Sequence, residues 1–307
     1  MAPEPRLSVV LPVFDEKEGL PELRRRLAAA LPAGAEVVFV DDGSNDGTAA
    51  LLKSFHAEDP RFKAVLLSRR FGHGAAVMAG LARAGGDAVV LMDGDGQDPP
   101  ELLPRLVEAW KAGAQVVYAE RSGRAEAGPR RAATWLFYRL LAAVADTRIP
   151  LDAGVFCLLD RKAADALRAM PERHRYLPGL RAWIGFTQAA VPYERAPRLS
   201  SSSKQGARAL GGYAFDALFA FSAVPLRLAT VLGVALSLWS FVYGAKVVYE
   251  KLFTDKPIIG WTSTIAAITL IGGTTLLTLG IIGEYLARIY DEVKRRPLFV
   301  EAGTVGF

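Results

Sequence analysis

The chain has 307 residues, of which 51% are hydrophobic and 22% charged, so it can bury a full α/β core and still leave residues for a second segment. A net charge of +5 would suit nucleic acid, but Lys and Arg are dispersed along the chain, and we expect no nucleic-acid partner. The single cysteine, Cys157, excludes an internal disulfide and fits a reducing compartment.

Apolar runs and amphipathic stretches alternate through the first half of the chain. Strands are predicted at 7–13, 35–40, 62–67, 88–92, 115–120 and 151–160. Helices are predicted between them at 21–31, 47–57 and 74–84, with another starting near Pro99. Strands and helices that alternate at this spacing indicate an α/β fold with a mainly parallel sheet and right-handed crossovers.

Acidic residues follow three of the predicted strands. They are Asp15 and Glu16, Asp41 and Asp42, and Asp93 and Asp95. Because the carboxyl ends of parallel strands meet at one edge of a sheet, we expect these residues to line one pocket. Carboxylates accept hydrogen bonds from ribose hydroxyls and base N–H groups, so Asp41 or Asp42 is expected to bind a nucleotide. The alternative for residues 41–44 is an ordinary strand-to-helix turn.

The segment Asp93-Gly-Asp95-Gly-Gln97 combines two carboxylates and an amide. Their oxygens suit Mg²⁺ or Mn²⁺, so a divalent ion held by these three residues is predicted. The alternative is that the acids cap the following helix. Asp98 is expected to take that capping role, because it precedes a proline at the first helical turn.

Two basic stretches are candidates for phosphate contacts, namely residues 68–74, which include Arg70 and open a helix, and the glycine-containing loop from Arg121 to Arg131. A solvated linker is the alternative for that loop. His73 is expected to pack or to cap a helix rather than to act as a base. The chain lacks the glycine-rich motifs of dinucleotide-binding folds and of P-loops.

Two uncharged segments, 228–245 and 257–283, are each long enough to cross a hydrocarbon core of about 30 Å as a helix. They predict an integral inner or plasma membrane protein. Lys and Arg flank the outer ends of the hairpin, which places the large N-terminal domain in the cytoplasm, and we expect no signal peptide. Small residues at 272–275 suit contacts between helices, within one hairpin or between subunits of a homo-oligomer.

These features divide the chain into four parts. They are a catalytic domain over 1–205, a juxtamembrane amphipathic segment over 206–226, the two spans within 227–290, and a cytoplasmic tail over 291–307. A polar loop over 193–204 leads toward the membrane. Its Arg198 and Lys204 are candidates for binding a lipid phosphate, and a plain linker is the alternative.

Several short motifs occur in a specific order at 10–16, 40–44, 68–72, 92–101, 152–154, 171–175 and 183–186, ahead of the two spans. Together they resemble those of family-2 glycosyltransferases of the GT-A fold. More narrowly, they resemble the polyprenyl-phosphate glycosyltransferases, the group of dolichyl-phosphate mannose synthase and the bacterial GtrB- and ArnC-like enzymes. The resemblance runs nearly from end to end.

The resemblance implies a role for each matching residue. The residues expected around the nucleotide are Pro12, Phe14, Glu16 and Asp42, and those expected to hold the divalent ion against the diphosphate are Asp93, Asp95 and Gln97. Arg121 and Arg131 are expected to contact phosphate groups, and Asp152 is expected to lie beside the reacting centre. Three departures are visible. Arg70 stands where this group usually has Asn, Cys157 where Arg is common, and the serines at 200–203 where a glycine-containing segment is usual.

The expected activity is the inverting, metal-dependent transfer of a hexose from a nucleotide sugar to undecaprenyl or dolichyl phosphate, and the bacterial group favours UDP-glucose. Asp95 and Asp152 are the predicted catalytic residues. A phosphate monoester is mostly dianionic at neutral pH, so Asp152 is expected to orient a substrate rather than to abstract a proton.

Two other functions are considered. A processive polysaccharide synthase needs more than two spans, and its acceptor motif is only partly matched at 181–183. An inactive membrane-tethered scaffold has no need of acids at all three strand ends.

Overall fold

The computed structural model of the chain describes residues 6–32, 34–121, 153–173, 175–194, 224–253 and 260–307. These residues fall into two compact units. The first unit contains an eight-stranded sheet with its helices and includes residues 296–307. The second contains two long helices.

The described elements are labelled in chain order. The strands are β1 (Leu7–Val13), β2 (Glu36–Asp41), β3 (Phe62–Leu67), β4 (Ala88–Leu91), β5 (Val116–Arg121), β6 (Ala153–Asp160), β7 (Gln188–Tyr193) and β8 (Glu301–Val305). The helices of the first unit are α1 (Leu20–Ala30), α2 (Thr48–Glu58), α3 (His73–Arg83), α4 (Leu103–Lys111), α5 (Arg161–Ala169) and α6 (Leu177–Trp183). The elements predicted over residues 7–92 are thereby confirmed to within one residue at each end.

The strand order is β7-β5-β6-β4-β1-β2-β3-β8. Strand β1 pairs in parallel with β2 and β4, β2 with β3, and β5 with β7, whereas β6 runs antiparallel to β4 and β5. The sheet is therefore mainly parallel, as predicted. Because β6 is reversed, its start lies at the edge where β1, β2, β4, β5 and β7 end.

The core explains why β1 is central. All seven residues of β1 are buried. Its odd-numbered side chains pack with α1, α2 and α4 in one apolar cluster, and Val10 points to the other face. There α3 lies directly on the sheet, since a Cβ added to Gly80 would be 2.3 Å from Val10 Cγ1. Helices on both faces leave the strand ends as the exposed edge for a site.

Strand β8 corrects the assignment of 291–307 to a tail. Residues 301–305 pair antiparallel with β3 and complete the sheet at that end. Val300 accepts the Ser68 backbone N–H at 2.9 Å, and Arg83 forms a bidentate ion pair with Glu301. The segment is short and contains glycine, so its alternation of apolar and polar residues is too weak to predict a strand. Among the described strands β8 alone pairs with this edge of β3, and the pairing satisfies backbone groups that would otherwise be exposed.

The second unit consists of α7 (Val224–Phe253) and α8 (Trp261–Val293). Their segments Val224–Glu250 and Thr264–Val293 have mean hydropathies of 1.7 and 2.1, and little of either is buried. Phe241, for example, is 79% exposed. Helices that are apolar all round and uncovered by protein suit a lipid environment. By length and composition both helices can cross a membrane, which agrees with the predicted two-helix hairpin.

Candidate active site

The acids that follow β1 and β2 lie together, as predicted. Asp15 has a left-handed backbone (φ +49°), which is unusual for a residue with a side chain. Its N–H donates to Ser44 Oγ at 2.9 Å, and its Oδ1 accepts the Asn45 N–H at 2.9 Å. These reciprocal bonds stabilise the strained residue. Asp15 therefore fixes the loop after β1 to the loop after β2.

Asp42 holds the segment that leads into α3. Its Oδ1 accepts the Phe71 N–H at 2.7 Å and its Oδ2 accepts the Gly72 N–H at 2.9 Å. Gly43 makes this approach possible, because a Cβ on it would be 2.6 Å from the backbone carbon of Arg69. Asp42 is thus a loop anchor, and a nucleotide contact by its carboxylate stays a prediction.

Asp41 and Glu16 are buried at the same edge, at 3% and 8% exposed. Burial raises the pKa of Asp41, and hydrogen bonds from Ser44 oppose that rise. The Glu16 carbonyl accepts the N–H groups of Gly19 and Leu20 and so begins α1. A nucleotide contact by Asp41 or by the Glu16 carboxylate stays a prediction.

Arg70 lies over an aromatic ring. Its guanidinium carbon is 4.0 Å from the ring centre of Phe14, the residue that follows β1. This cation–π contact brings Arg70 beside the residues predicted to surround the nucleotide. Pro12 is the sixth residue of β1, opposite Val40 of β2.

The loop after β4 carries the predicted ion ligands. A Cβ on Gly94 would be 2.4 Å from Val13 Cγ1 and 2.8 Å from the Pro12 carbonyl oxygen, so the loop is fitted closely against β1. Asp95 Oδ1 accepts the Gln97 N–H at 3.1 Å, which folds the loop back on itself. Asp93 and Asp95 are thereby held at the end of β4 beside the end of β1.

The donor set fits a divalent ion. Asp93 Oδ1 is buried, and no hydrogen-bond partner for it is found within the described part of the chain. The same part contains no cluster of three or more His, Cys, Asp or Glu side chains around one metal position. The oxygens of Asp93, Asp95 and Gln97 suit an ion of the Mg²⁺ type, which takes one or two carboxylates and completes its shell with water and substrate phosphate.

Asp98 corrects one prediction. The helical turn after Pro99 has no side-chain cap, and Asp98 is instead 1% exposed beneath the loop. Its Oδ2 accepts the Asp93 N–H at 3.2 Å, and its Oδ1 accepts the Tyr193 hydroxyl at 3.0 Å. Burial, together with the nearby Asp93, raises the pKa of Asp98 to about 7. Asp98 therefore does not cap the helical turn but supports the loop that carries Asp93.

Tyr193 is the last residue of β7, although the sequence predicts a polar loop from that position. Its hydroxyl accepts from Arg121 Nε at 3.4 Å, and its ring packs edge-on against Phe156. Burial raises the pKa of the hydroxyl to about 12, so it stays protonated and donates to Asp98. Arg121, predicted to bind phosphate, is thus fixed at the end of β5.

The comparison with known proteins agrees with this geometry. A domain model described as Glycosyl transferase family 2 matches residues 8–168. The chain belongs to glycosyl transferase family 2. This confirms the family resemblance and establishes the protein as a glycosyltransferase.

Several full-length relatives are similar to this glycosyltransferase. The uncharacterized glycosyltransferase YkcC of Bacillus subtilis (strain 168) is 41% identical over 303 residues, which is 97% of this chain and 94% of the relative. The SfII prophage-derived bactoprenol glucosyl transferase of Shigella flexneri is 36% identical, over 96% of this chain and 97% of the relative. The prophage bactoprenol glucosyl transferase homolog of Escherichia coli (strain K12) is 34% identical, over 96% and 98%.

A solved structure shares the fold. Glucosyl-3-phosphoglycerate synthase from Mycobacterium tuberculosis, solved with Mn²⁺, UDP-glucose and glycerol 3-phosphate, is similar over 70% of this chain and 78% of that chain. The TM-score is 0.50 and the identity is 20%. This agrees with the predicted α/β fold of the GT-A type.

Four predicted site residues of the glycosyltransferase lie outside the described residues, namely Arg131, Asp152, Arg198 and Lys204. Three residues that were not predicted lie at the site. They are Asp98, Tyr193 and His73, whose Nε2 is 3.7 Å from Asp93 Oδ1. Of these three, His73 is the one that a sequence signal could have indicated. It lies next to a glycine, at the start of a helix and after a pair of arginines.

Proposed function

We propose that this glycosyltransferase moves glucose from UDP-glucose to a polyprenyl phosphate in the membrane, with inversion and with a divalent ion. The observation that carries the proposal is the buried Asp93 Oδ1, which has no hydrogen-bond partner within the described residues and lies at the sheet edge beside Asp95. For the acceptor, support comes from relatives named bactoprenol glucosyl transferase, which match 96% of the chain.

The reaction requires one displacement. An oxygen of the lipid phosphate attacks the anomeric carbon while the bond from that carbon to the nucleoside diphosphate breaks, which inverts the configuration. Asp93, Asp95 and Gln97 would hold the ion. When bound, it would stabilise the negative charge that develops on the leaving diphosphate, a contribution of several kcal/mol.

The chain's own residues prepare this site. Asp42 and Asp15 fix the loops on the nucleotide side, and Asp98 supports the loop that carries Asp93. Asp152 is proposed to orient the acceptor or the sugar, because a dianionic phosphate needs no strong base. On the other side of the edge, Arg121 offers positive charge at the end of β5.

The helices α7 and α8 supply the proposed route to the acceptor. A polyprenyl chain stays in the bilayer, so an enzyme that uses it works at the membrane surface. We propose that α7 and α8 span the inner or plasma membrane, that the sheet lies in the cytoplasm, and that small residues on α8 serve contacts between copies.

The test is transfer of radiolabelled glucose from UDP-glucose to a chloroform-soluble product, in vesicles that contain undecaprenyl phosphate and Mn²⁺. We expect labelled lipid from the parent protein, none after chelation, and a loss of at least about a hundredfold for Asp95→Asn. Asp165→Asn on α5 replaces a half-exposed carboxylate and should leave transfer unchanged. A soluble or polymeric product would favour a synthase, and no product would favour a scaffold.

A further inference from the structure

A buried arginine lies at the same edge with part of its guanidinium unused. Arg181 on α6 is 2% exposed. Its Nη1 donates to the Gly154 carbonyl at 2.9 Å, and its guanidinium carbon lies 5.3 Å from the ring centre of Tyr118. Its Nε and Nη2 have no acceptor within the described residues. Among the described residues the guanidinium is therefore anchored by Nη1 alone, and its Nε and Nη2 have no hydrogen-bond partner there.

These two nitrogens form one edge of the guanidinium, the edge whose parallel N–H groups bind two oxygens of one oxyanion. Four other arginines of this chain show that use. In each, Nε and Nη2 contact the carboxylate of one partner, in the pairs Arg25 and Glu22, Arg26 and Glu101, Arg61 and Asp59, and Arg83 and Glu301. Arg181 offers the same edge, and no carboxylate from the described part of the chain lies on it.

No described neighbour neutralises Arg181. Cys157 lies beside it, but burial raises the pKa of that thiol, with Arg181 opposing, and the thiol stays neutral. A guanidinium does not lose its proton in proteins, so burial cannot discharge it. A buried cation without a counter-charge is unfavourable, and an anion that reaches it is bound strongly.

Gly154 lies between Arg181 and a second guanidinium, that of Arg121, which packs on the other face of the sheet. A Cβ on Gly154 would be 2.9 Å from Arg121 Nη2, so the missing side chain lets Arg121 lie there. Gly154 is near the start of β6. Cys157, three residues further along β6, pairs with Leu91 at the end of β4, so Gly154 lies past that end. Acids therefore occupy the β1, β2 and β4 part of this edge, and two arginines occupy the part at β5 and β6.

We propose that Arg181 binds the phosphate group of the lipid acceptor through its Nε and Nη2 edge. This assignment rests on the proposed function. The donor diphosphate has the ion held by Asp93 and Asp95 to offset its charge. The attacking phosphate dianion arrives separately and needs its own positive charge, which Arg181 supplies.

The test measures binding without turnover. Full-length protein is titrated with a water-soluble short-chain polyprenyl monophosphate in the absence of UDP-glucose, and separately with UDP and Mn²⁺. Arg181→Met should weaken lipid-phosphate binding by at least about tenfold, the value of a charge-assisted bidentate contact, and leave UDP binding within about twofold. Arg181→Lys keeps the charge but loses the paired donors, so its affinity for lipid phosphate should lie between those of the parent and Arg181→Met.

Unfolding temperature separates binding from a structural role. Without ligand, Arg181→Met should unfold at the parent temperature or above it, because an unpaired buried charge is removed. The stabilisation that lipid phosphate gives the parent should be lost. Arg168→Met replaces a half-exposed arginine on α5 and should behave as the parent in both measurements.

Three outcomes overturn the assignment. They are unchanged lipid-phosphate binding in Arg181→Met, a loss that falls on UDP instead, and a lowered unfolding temperature with lipid-phosphate binding retained. If the parent binds lipid phosphate through Arg181 but transfers no glucose, the proposed function fails and the phosphate site stands. If it transfers glucose and Arg181→Met binds as the parent does, only the phosphate site fails.

Discussion

The Tyr193 hydroxyl donates to Asp98 Oδ1 at 3.0 Å, and so connects the end of β7 to the loop after β4. The other oxygen of Asp98 accepts the backbone N–H of Asp93. Because Asp98 is buried, both of its bonds are made where water cannot replace them. The position of the predicted ion ligands therefore depends on a tyrosine that lies almost a hundred residues away in the chain.

Tyr193→Phe tests this dependence. The ring keeps its contact with Phe156, but one Asp98 oxygen loses its donor, which should cost about 1–3 kcal/mol of stability. We expect weaker activation by Mn²⁺, with a higher half-saturating concentration and a smaller change in kcat at saturating ion. Tyr249→Phe, on an exposed tyrosine of α7, should change neither quantity. An unaltered Mn²⁺ titration in Tyr193→Phe would show that the connection does not position the loop.

Stability in acid should depend on Glu36. Its Oε1 accepts from Ser8 Oγ at 2.6 Å and from the Gly85 N–H at 2.7 Å, and its Oε2 pairs with Lys63 at 2.8 Å. Burial favours the neutral form, but these bonds outweigh it and lower the pKa of Glu36. A lowered folded-state pKa contributes stability above the unfolded value of about 4.3, and that stability is lost as pH falls through the folded pKa.

Glu36→Gln should therefore reduce the free energy of unfolding at pH 7 by about 1–3 kcal/mol. As pH drops below about 4.3, the stability of this variant should fall less steeply than that of the parent. Thermal unfolding of both proteins across this pH range measures the difference. The two curves should converge at the acid end. Parallel curves would mean that Glu36 does not gain its charge-dependent stability from these partners.

Strand β8 should protect the edge of the sheet. Deletion of residues 300–307 removes the partner of β3 and leaves unpaired backbone groups, which favour pairing between molecules. We expect a lower unfolding temperature and concentration-dependent self-association in light scattering. Glu301→Gln removes only the partly exposed ion pair with Arg83, and should cost about 1 kcal/mol or less. A deletion no more harmful than Glu301→Gln would assign the effect to the ion pair instead.

Local pattern predicted those parts of the site that local forces determine. The strand that ends before Asp93 is an apolar run with glycines after it, and burial of such a run needs no knowledge of distant residues. Asp98 was misassigned because a cap and a buried support have the same local sequence, Asp before Pro. Only Tyr193, brought in by β7 pairing with β5, distinguishes them. Arg181 was hidden for the same reason, since its burial depends on β6 and α6 meeting.

Gly94→Ala should weaken the site while leaving the fold intact. The added Cβ would lie 2.4 Å from Val13 Cγ1 and 2.8 Å from the Pro12 carbonyl oxygen, and the latter is backbone that cannot turn aside. The loop must shift away from β1, which moves Asp93 and Asp95 relative to each other. We expect kcat/KM for glucose transfer to fall by about a hundredfold, as for other displacements near 1 Å in an active site. Gly85→Ala meets only Glu36 Oε1 at 3.5 Å, an ordinary contact, and should keep most activity. Full activity in Gly94→Ala would show that the ion ligands do not require this close fit.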